Sequence, residues 1–226
     1  MDQDRLNSIS SLTSKLLRKN FGKGPQSCQA TICKQHFVIY IQGFISPMEE
    51  VLIQQGQQEQ VEKARAVIIE HVIEELKGII KVTIDREVEE SYHDWNFPNN
   101  SGLIFFVLNE EIIENCNENS MLIQKLEKEI ARISELVQKV PDIIHVYPLS
   151  QTIYLVERKG ILIPIEKALI AKGFSNELKI TKDELEKSYF HRYGKFDEIF
   201  NNSIKDIFID WNFKEDKSLM AFVFHT

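Results

Sequence analysis

Apolar residues recur near helical spacing from the start of the chain, with Leu6, Ile9, Leu12, Leu16 and Leu17 on one side of a predicted helix. Gly22, Gly24 and Pro25 supply its stop. The pattern then changes to two short strands, Cys28–Cys33 and His36–Gln42, joined tightly. In the second, Phe37, Ile39 and Ile41 line one side while Val38 and Tyr40 line the other; apolar character on both faces marks a central strand. Ser46-Pro47-Met48-Glu49 opens a second helix, because Ser46 can cap, Pro47 suits the first helical position and Glu49 can close a capping box. After a break at Gly56, Val61, Ala64, Ile68, Val72 and Leu76 form a helical stripe. Strands near Ile79–Val88 and Gly102–Leu108 follow.

The same order then returns. Gly43-Phe-Ile-Ser-Pro-Met-Glu-Glu-Val-Leu-Ile-Gln-Gln-Gly56 reappears as Gly160-Ile-Leu-Ile-Pro-Ile-Glu-Lys-Ala-Leu-Ile-Ala-Lys-Gly173, shifted by 117 positions with six of fourteen identical. Asp94-Trp-Asn-Phe97 reappears as Asp210-Trp-Asn-Phe213, shifted by 116, so one net deletion separates the anchors. Leu103, Phe106 and Val107 match Leu219, Phe222 and Val223. Chance would give about one identity in such a window, so the chain is an internal duplication. In the second copy, Leu122, Ile123, Leu126, Ile130, Ile133 and Val137 open a helix stopped by Pro141. Strands Ile143–Tyr147 and Thr152–Glu157 follow, then helix Pro164–Ala171, a break at Gly173 and a restart at the capping-box pattern Thr181-Lys-Asp-Glu184. Strands Ile204–Trp211 and Ser218–Phe224 close it. Short connections favour antiparallel pairing. The expected fold is α+β: two tandem α-β-β-α-β-β repeats, residues 1–112 and 118–226, with helices on one face of each antiparallel sheet and a pseudo-twofold arrangement. The seam falls in the polar, linker-like stretch Asn109–Ser120.

Composition narrows the function. With 27 basic and 34 acidic residues the net charge is −7, which argues against nucleic acid as a partner. Residues 1–117 hold 11 basic and 17 acidic residues, a net of −6, so nearly all of the excess belongs to the first copy. The longest apolar runs, Leu103–Leu108 and Ile161–Ile165, are far shorter than the roughly 18 residues of a membrane span, so no direct membrane insertion is expected. Asp2, Asp4 and Arg5 replace the apolar core of a secretory signal. Cys28, Cys33 and Cys116 have no framework spacing and read as ordinary small residues of a reducing compartment, hence a cytoplasmic location.

Catalytic patterns are missing. Phe21-Gly-Lys-Gly-Pro25 ends a helix and lacks phosphate-loop spacing, so Gly22, Lys23, Gly24 and Pro25 read first as a helix stop and second as a ligand or partner loop of copy one alone. Glu49 and Glu166 are matched carboxylates after a matched proline, which helix capping explains and an acid pair would also use. Trp95 and Trp211, in the repeated Asp-Trp-Asn-Phe, suit core anchoring or a ligand pocket. His36, His71, His93, His145, His191 and His225 have no histidine counterparts in the other copy and no zinc spacing. No metal, no cofactor and no enzymatic activity are expected.

The sequence Phe21-Gly-Lys-Gly-Pro25, then Gly43-Phe-Ile-Ser-Pro-Met-Glu49 with Leu52, Arg65 in the next helix, and the closing Phe105-Phe-Val-Leu108 resembles the MpsC family. The second copy keeps Gly-x3-Pro-x-Glu-x2-Leu and the closing strand but loses the Gly-x-Gly-Pro turn. The resemblance implies an accessory part of a bacterial sodium-translocating, membrane-potential-generating system, with companion components linked to inorganic-carbon uptake. It implies a protein partner, such as an integral membrane transporter subunit, and a place peripheral to the membrane. It supplies no catalytic residues. A homodimer is left open. The alternative expectation is a small-ligand or anion sensor with a cleft between the repeats.

Overall fold

The computed structural model describes residues 3–112 and 120–225. The chain divides into two compact units, Met1–Glu114 and Asn115–Thr226. The first contains α1 (Gln3–Phe21), β1 (Ser27–Gln42), α2 (Pro47–Gln54), α3 (Gln58–Ile84), β2 (Val88–Asn96) and β3 (Ser101–Ile112). The second contains α4 (Ser120–Val137), β4 (Ile143–Pro148), β5 (Ile153–Lys159), α5 (Pro164–Ala171), α6 (Ser175–Tyr193), α7 (Phe196–Phe200), β6 (Ile204–Asn212) and β7 (Lys217–Phe224). Each is α+β with one antiparallel sheet, as the repeat pattern implies.

The sheet orders are β1-β3-β2 and β4-β5-β7-β6. The difference in strand number comes from β1. A straight strand of its length would hold its ends about 50 Å apart, yet the Gln26 N–H donates to the Gln42 carbonyl at 2.8 Å. The extended chain therefore doubles back, and it does so at Lys34, whose φ is 54°. Its second half, His36–Gln42, pairs with β3 as β5 pairs with β7. The two strands expected at Cys28–Cys33 and His36–Gln42 are thus the limbs of one uninterrupted extended segment.

In unit one, Phe37, Ile39, Ile41, Ile104, Phe106 and Leu108 pack on Leu6, Ile9 and Leu17 of α1 and on Val61, Ile69, Val72, Leu76 and Ile80 of α3. In unit two, Val156, Met220, Phe222, Ile207 and Trp211 pack on Leu126, Ile130 and Ile133 of α4 and on Phe190 and Phe196. Each fully buried side chain of this kind stabilises by roughly 1.5–3 kcal/mol. Val38, Tyr40, Leu103, Phe105 and Val107 on the other face of the first sheet are buried too, as the two-sided apolar pattern of His36–Gln42 anticipates.

Five expectations need correction. No strand begins near Ile79: α3 continues through Ile80 and Ile84, both buried, to a left-handed cap at Asp85, and the strand starts at Val88. The inward stripe of α3 is Val61, Arg65, Ile69, Val72, Ile73 and Leu76, so Ala64 is exposed and Ile68 half-buried. An apolar template skips Arg65, and the stripe shifts accordingly. Thr181 caps nothing; α6 begins at Ser175, and Thr181 Oγ1 donates to the Glu177 carbonyl one turn back, at 2.8 Å. The seam is less loop-like than its composition, because β3 runs through Asn109 to Ile112. Asn109 exchanges bonds with Glu87 there, and the residues from 113 to 119 lie outside the described ones. Finally, Cys33 is disulfide-bonded, not a simple thiol. Cys28 is free, its thiol pushed up to about 11 by burial, and Cys116 lies outside the described residues.

Candidate functional site

Both copies build the same device at the start of their second helix. Pro47 and Pro164 occupy the first helical turn, and the glutamate two residues later folds back on the cap. In unit one the Ser46 N–H donates to Glu49 Oε2 at 2.8 Å, and the Glu49 N–H donates to Ser46 Oγ at 3.4 Å. In unit two the Ile163 N–H donates to Glu166 Oε2 at 3.0 Å, but Ile163 offers no side-chain acceptor, so only half the box exists.

The other carboxylate oxygen takes a buried cation from the next helix. Arg65 Nη2 donates to Glu49 Oε1 at 2.5 Å, and Lys182 Nζ donates to Glu166 Oε1 at 2.9 Å. Both cations stand sixteen residues after their glutamate, and all four side chains are buried. The pairs lock α2 to α3 and α5 to α6.

What surrounds each pair differs. The Arg65 guanidinium lies against three rings, with its carbon 4.1 Å from the centroid of Phe44, 4.5 Å from Phe21 and 5.0 Å from Trp95. Such cation–π contacts favour a desolvated cation. Burial pulls the Arg65 guanidinium down to about 10, against the opposing pull of Glu49. Among the described residues, Arg65 Nε and Trp95 Nε1 are buried without a hydrogen-bond partner. Trp95 lies across Gly102, where a Cβ would come within 1.9 Å of the indole.

Unit two keeps one of these rings as Trp211, loses the other two, and brings in polar groups around its cation. Gln138 stands at the position of Phe21, Ile161 at Phe44, Arg158 at Ile41, Glu186 at Ile69 and Ser218 at Gly102. Lys182 Nζ donates to Gln138 Oε1 at 2.9 Å and reaches Glu186 Oε1 at 3.2 Å. Arg158 donates to Glu186 Oε2 at 2.6 Å and to Ser218 Oγ at 2.9 Å. Gln138 Nε2 donates to Glu166 Oε2 at 2.9 Å and to the Ile161 carbonyl at 2.6 Å. Burial pushes the Glu186 carboxyl up, but Arg158 and Lys182 outweigh it and hold it below the usual carboxylate range. Two cations and two carboxylates thus balance inside unit two. A cavity of about 10 Å³ beside them is lined by Ser134, Gln138, Arg158 and Glu186, among others, which gives room for one water-sized group.

The structure brings three of the residues named from sequence to one place. Glu49 and Trp95 meet around Arg65, and Lys23 Nζ donates to the Ile45 carbonyl beside Ser46 at 3.0 Å. Gly22 takes the left-handed φ of 74° that ends α1, its N–H bonded to the Arg18 carbonyl. Gly24 lets Arg18 approach; a Cβ there would sit 2.9 Å from Arg18 Nε. Pro25 belongs to the same connection into β1. Trp211 packs within the unit-two core. Lys182, Arg158, Glu186 and Gln138 were not singled out from sequence. The signal for Lys182 was available in the shift of 117 that maps Arg65 onto it. Among the described residues no group of His, Cys, Asp and Glu could hold a metal ion.

The sequence matches the family described as Na+-translocating membrane potential-generating system (MpsC) twice, over residues 3–110 and 118–226. The chain belongs to the MpsC family. It carries two MpsC repeats in tandem, and the Glu–cation pair between the second helix and the third is common to both. No curated protein and no solved structure matches this MpsC chain. Among its described residues no helix is long and apolar enough to cross a membrane.

Proposed function

We propose that this chain is a non-enzymatic accessory or regulatory component of a bacterial sodium-translocating membrane system, held at the cytoplasmic face by an integral membrane subunit. The observation that carries this reading is the double match to a family described by that system, in a chain whose described helices do not span a bilayer. The buried charges favour a structural role over catalysis, because Glu49, Glu166 and Glu186 are already committed to Arg65, Lys182 and Arg158. The resemblance extends the reading to systems that take up inorganic carbon.

The test is biochemical. Tagged chain purified from native membranes should retain a multi-span membrane protein and leave the membrane under alkaline wash. A chain that stays wholly in the supernatant and retains no membrane subunit would contradict the reading. The side of the membrane is tested separately. A membrane-impermeant protease added to intact cells should spare the chain, and digestion there would contradict the cytoplasmic placement.

A further inference from the structure

The outward faces of α2 and α5 each carry two large exposed apolar side chains. Met48 is 72% exposed and Val51 57%; at the matched helix, Ile165 is 66% exposed and Leu169 36%. These are large side chains on eight-residue helices, at spacings of three and four that line one helix face. Single exposed apolar residues are ordinary, but an exposed apolar pair on the matched helix of both copies is not: Met48 maps onto Ile165, while Val51 maps onto Ala168 and Leu169 onto the half-buried Leu52.

The charge beside these side chains is reversed. Glu50, exposed between Met48 and Val51, maps onto Lys167, exposed between Ile165 and Ala168. No basic residue lies between Gly43 and Glu62. Between Gly160 and Asn176 the acid is Glu166, which is buried against Lys182, while Lys167 and Lys172 are exposed. The α2 face is therefore apolar with an acidic rim, and the α5 face apolar with a basic rim. Lys167 meets Asp216 at 2.9 Å but remains 58% exposed, a surface pair that exchanges partners readily.

We propose that a second copy of this chain occupies these faces, with the α2 face of one molecule on the α5 face of the other and Glu50 opposite Lys167. Such a contact joins unlike surfaces, so it either closes into a twofold pair or continues as a chain of molecules. An eight-residue helix face is small against the roughly 1,200 Å² of a stable interface, so the association is weak and concentration-dependent.

Analytical ultracentrifugation of the full chain across a concentration series tests it. Self-association should grow with concentration. Glu50→Lys alone or Lys167→Glu alone should weaken it about tenfold, because each places like charges face to face. The Glu50→Lys/Lys167→Glu double variant should recover it. Val51→Asp, at an exposed position that leaves the fold intact, should abolish it. A wild-type chain that stays monomeric at every accessible concentration overturns the proposal, whether or not it sediments with phosphatidylglycerol vesicles. So does a double variant no better than the singles.

Discussion

Arg65 donates to Glu49 at 2.5 Å across two helices, with the guanidinium packed against Phe21, Phe44 and Trp95. One carboxylate thereby does two jobs, capping α2 with one oxygen and tying it to α3 with the other. Removing either partner leaves a buried charge uncompensated. Arg65→Leu is expected to cost about 3–5 kcal/mol in unit one. Arg65→Leu with Glu49→Gln should cost less than the sum of the two single changes. Denaturant unfolding followed at Trp95, in a Trp211→Phe background, reads unit one by itself.

Unit two offers the reverse experiment. Arg158 and Glu186 occupy positions held by Ile41 and Ile69 in unit one. Replacing both with isoleucine removes a buried ion pair whole, and is expected to be neutral or stabilising by about 1–4 kcal/mol. Arg158→Ile alone should instead be strongly destabilising, because Glu186 keeps only Lys182. Calorimetry on the three variants measures the difference.

Gly102 and Trp95 form a second coupled pair. Gly102→Ser installs the residue found at the matched Ser218, yet its Cβ would meet the indole at 1.9 Å. A cost of about 1–3 kcal/mol is expected. Gly102→Ser with Trp95→Leu should recover part of it, and thermal unfolding measures both.

Acid should loosen unit two through Glu186. Its folded carboxyl lies below the usual range, so its contribution is present above the unfolded value of about 4.3 and is lost as pH falls through the folded one. Glu129 and Asp216 are also lowered and act in the same sense. Glu186→Gln should therefore flatten part of the decline in stability below about pH 4.3, read at Trp211 in a Trp95→Phe background. An unchanged slope would contradict the assignment.

Much of this architecture was legible because it is written twice. The repeat set the order of elements, and Ser46-Pro47-Met48-Glu49 announced both a helix start and its cap. The ends of elements were harder. Residues 79–84 are rich in β-branched side chains, which suits a strand, but burial of Ile80 and Ile84 on the α3 face keeps them helical. The ion pairs were hidden for a different reason. Arg65 and Lys182 lie on faces that an apolar template expects to be hydrophobic, and their partners sit sixteen residues away on another helix. No local pattern reports such a distance; only tertiary packing reveals it.

Attachment to a sodium-translocating system is tested most directly by the membrane potential of energised inside-out membrane vesicles, whose cytoplasmic face is open to added protein. Vesicles from cells lacking this chain should lose the sodium-dependent component of the potential, and adding purified chain should restore it. An unchanged sodium-dependent potential in the deletion strain would contradict the account.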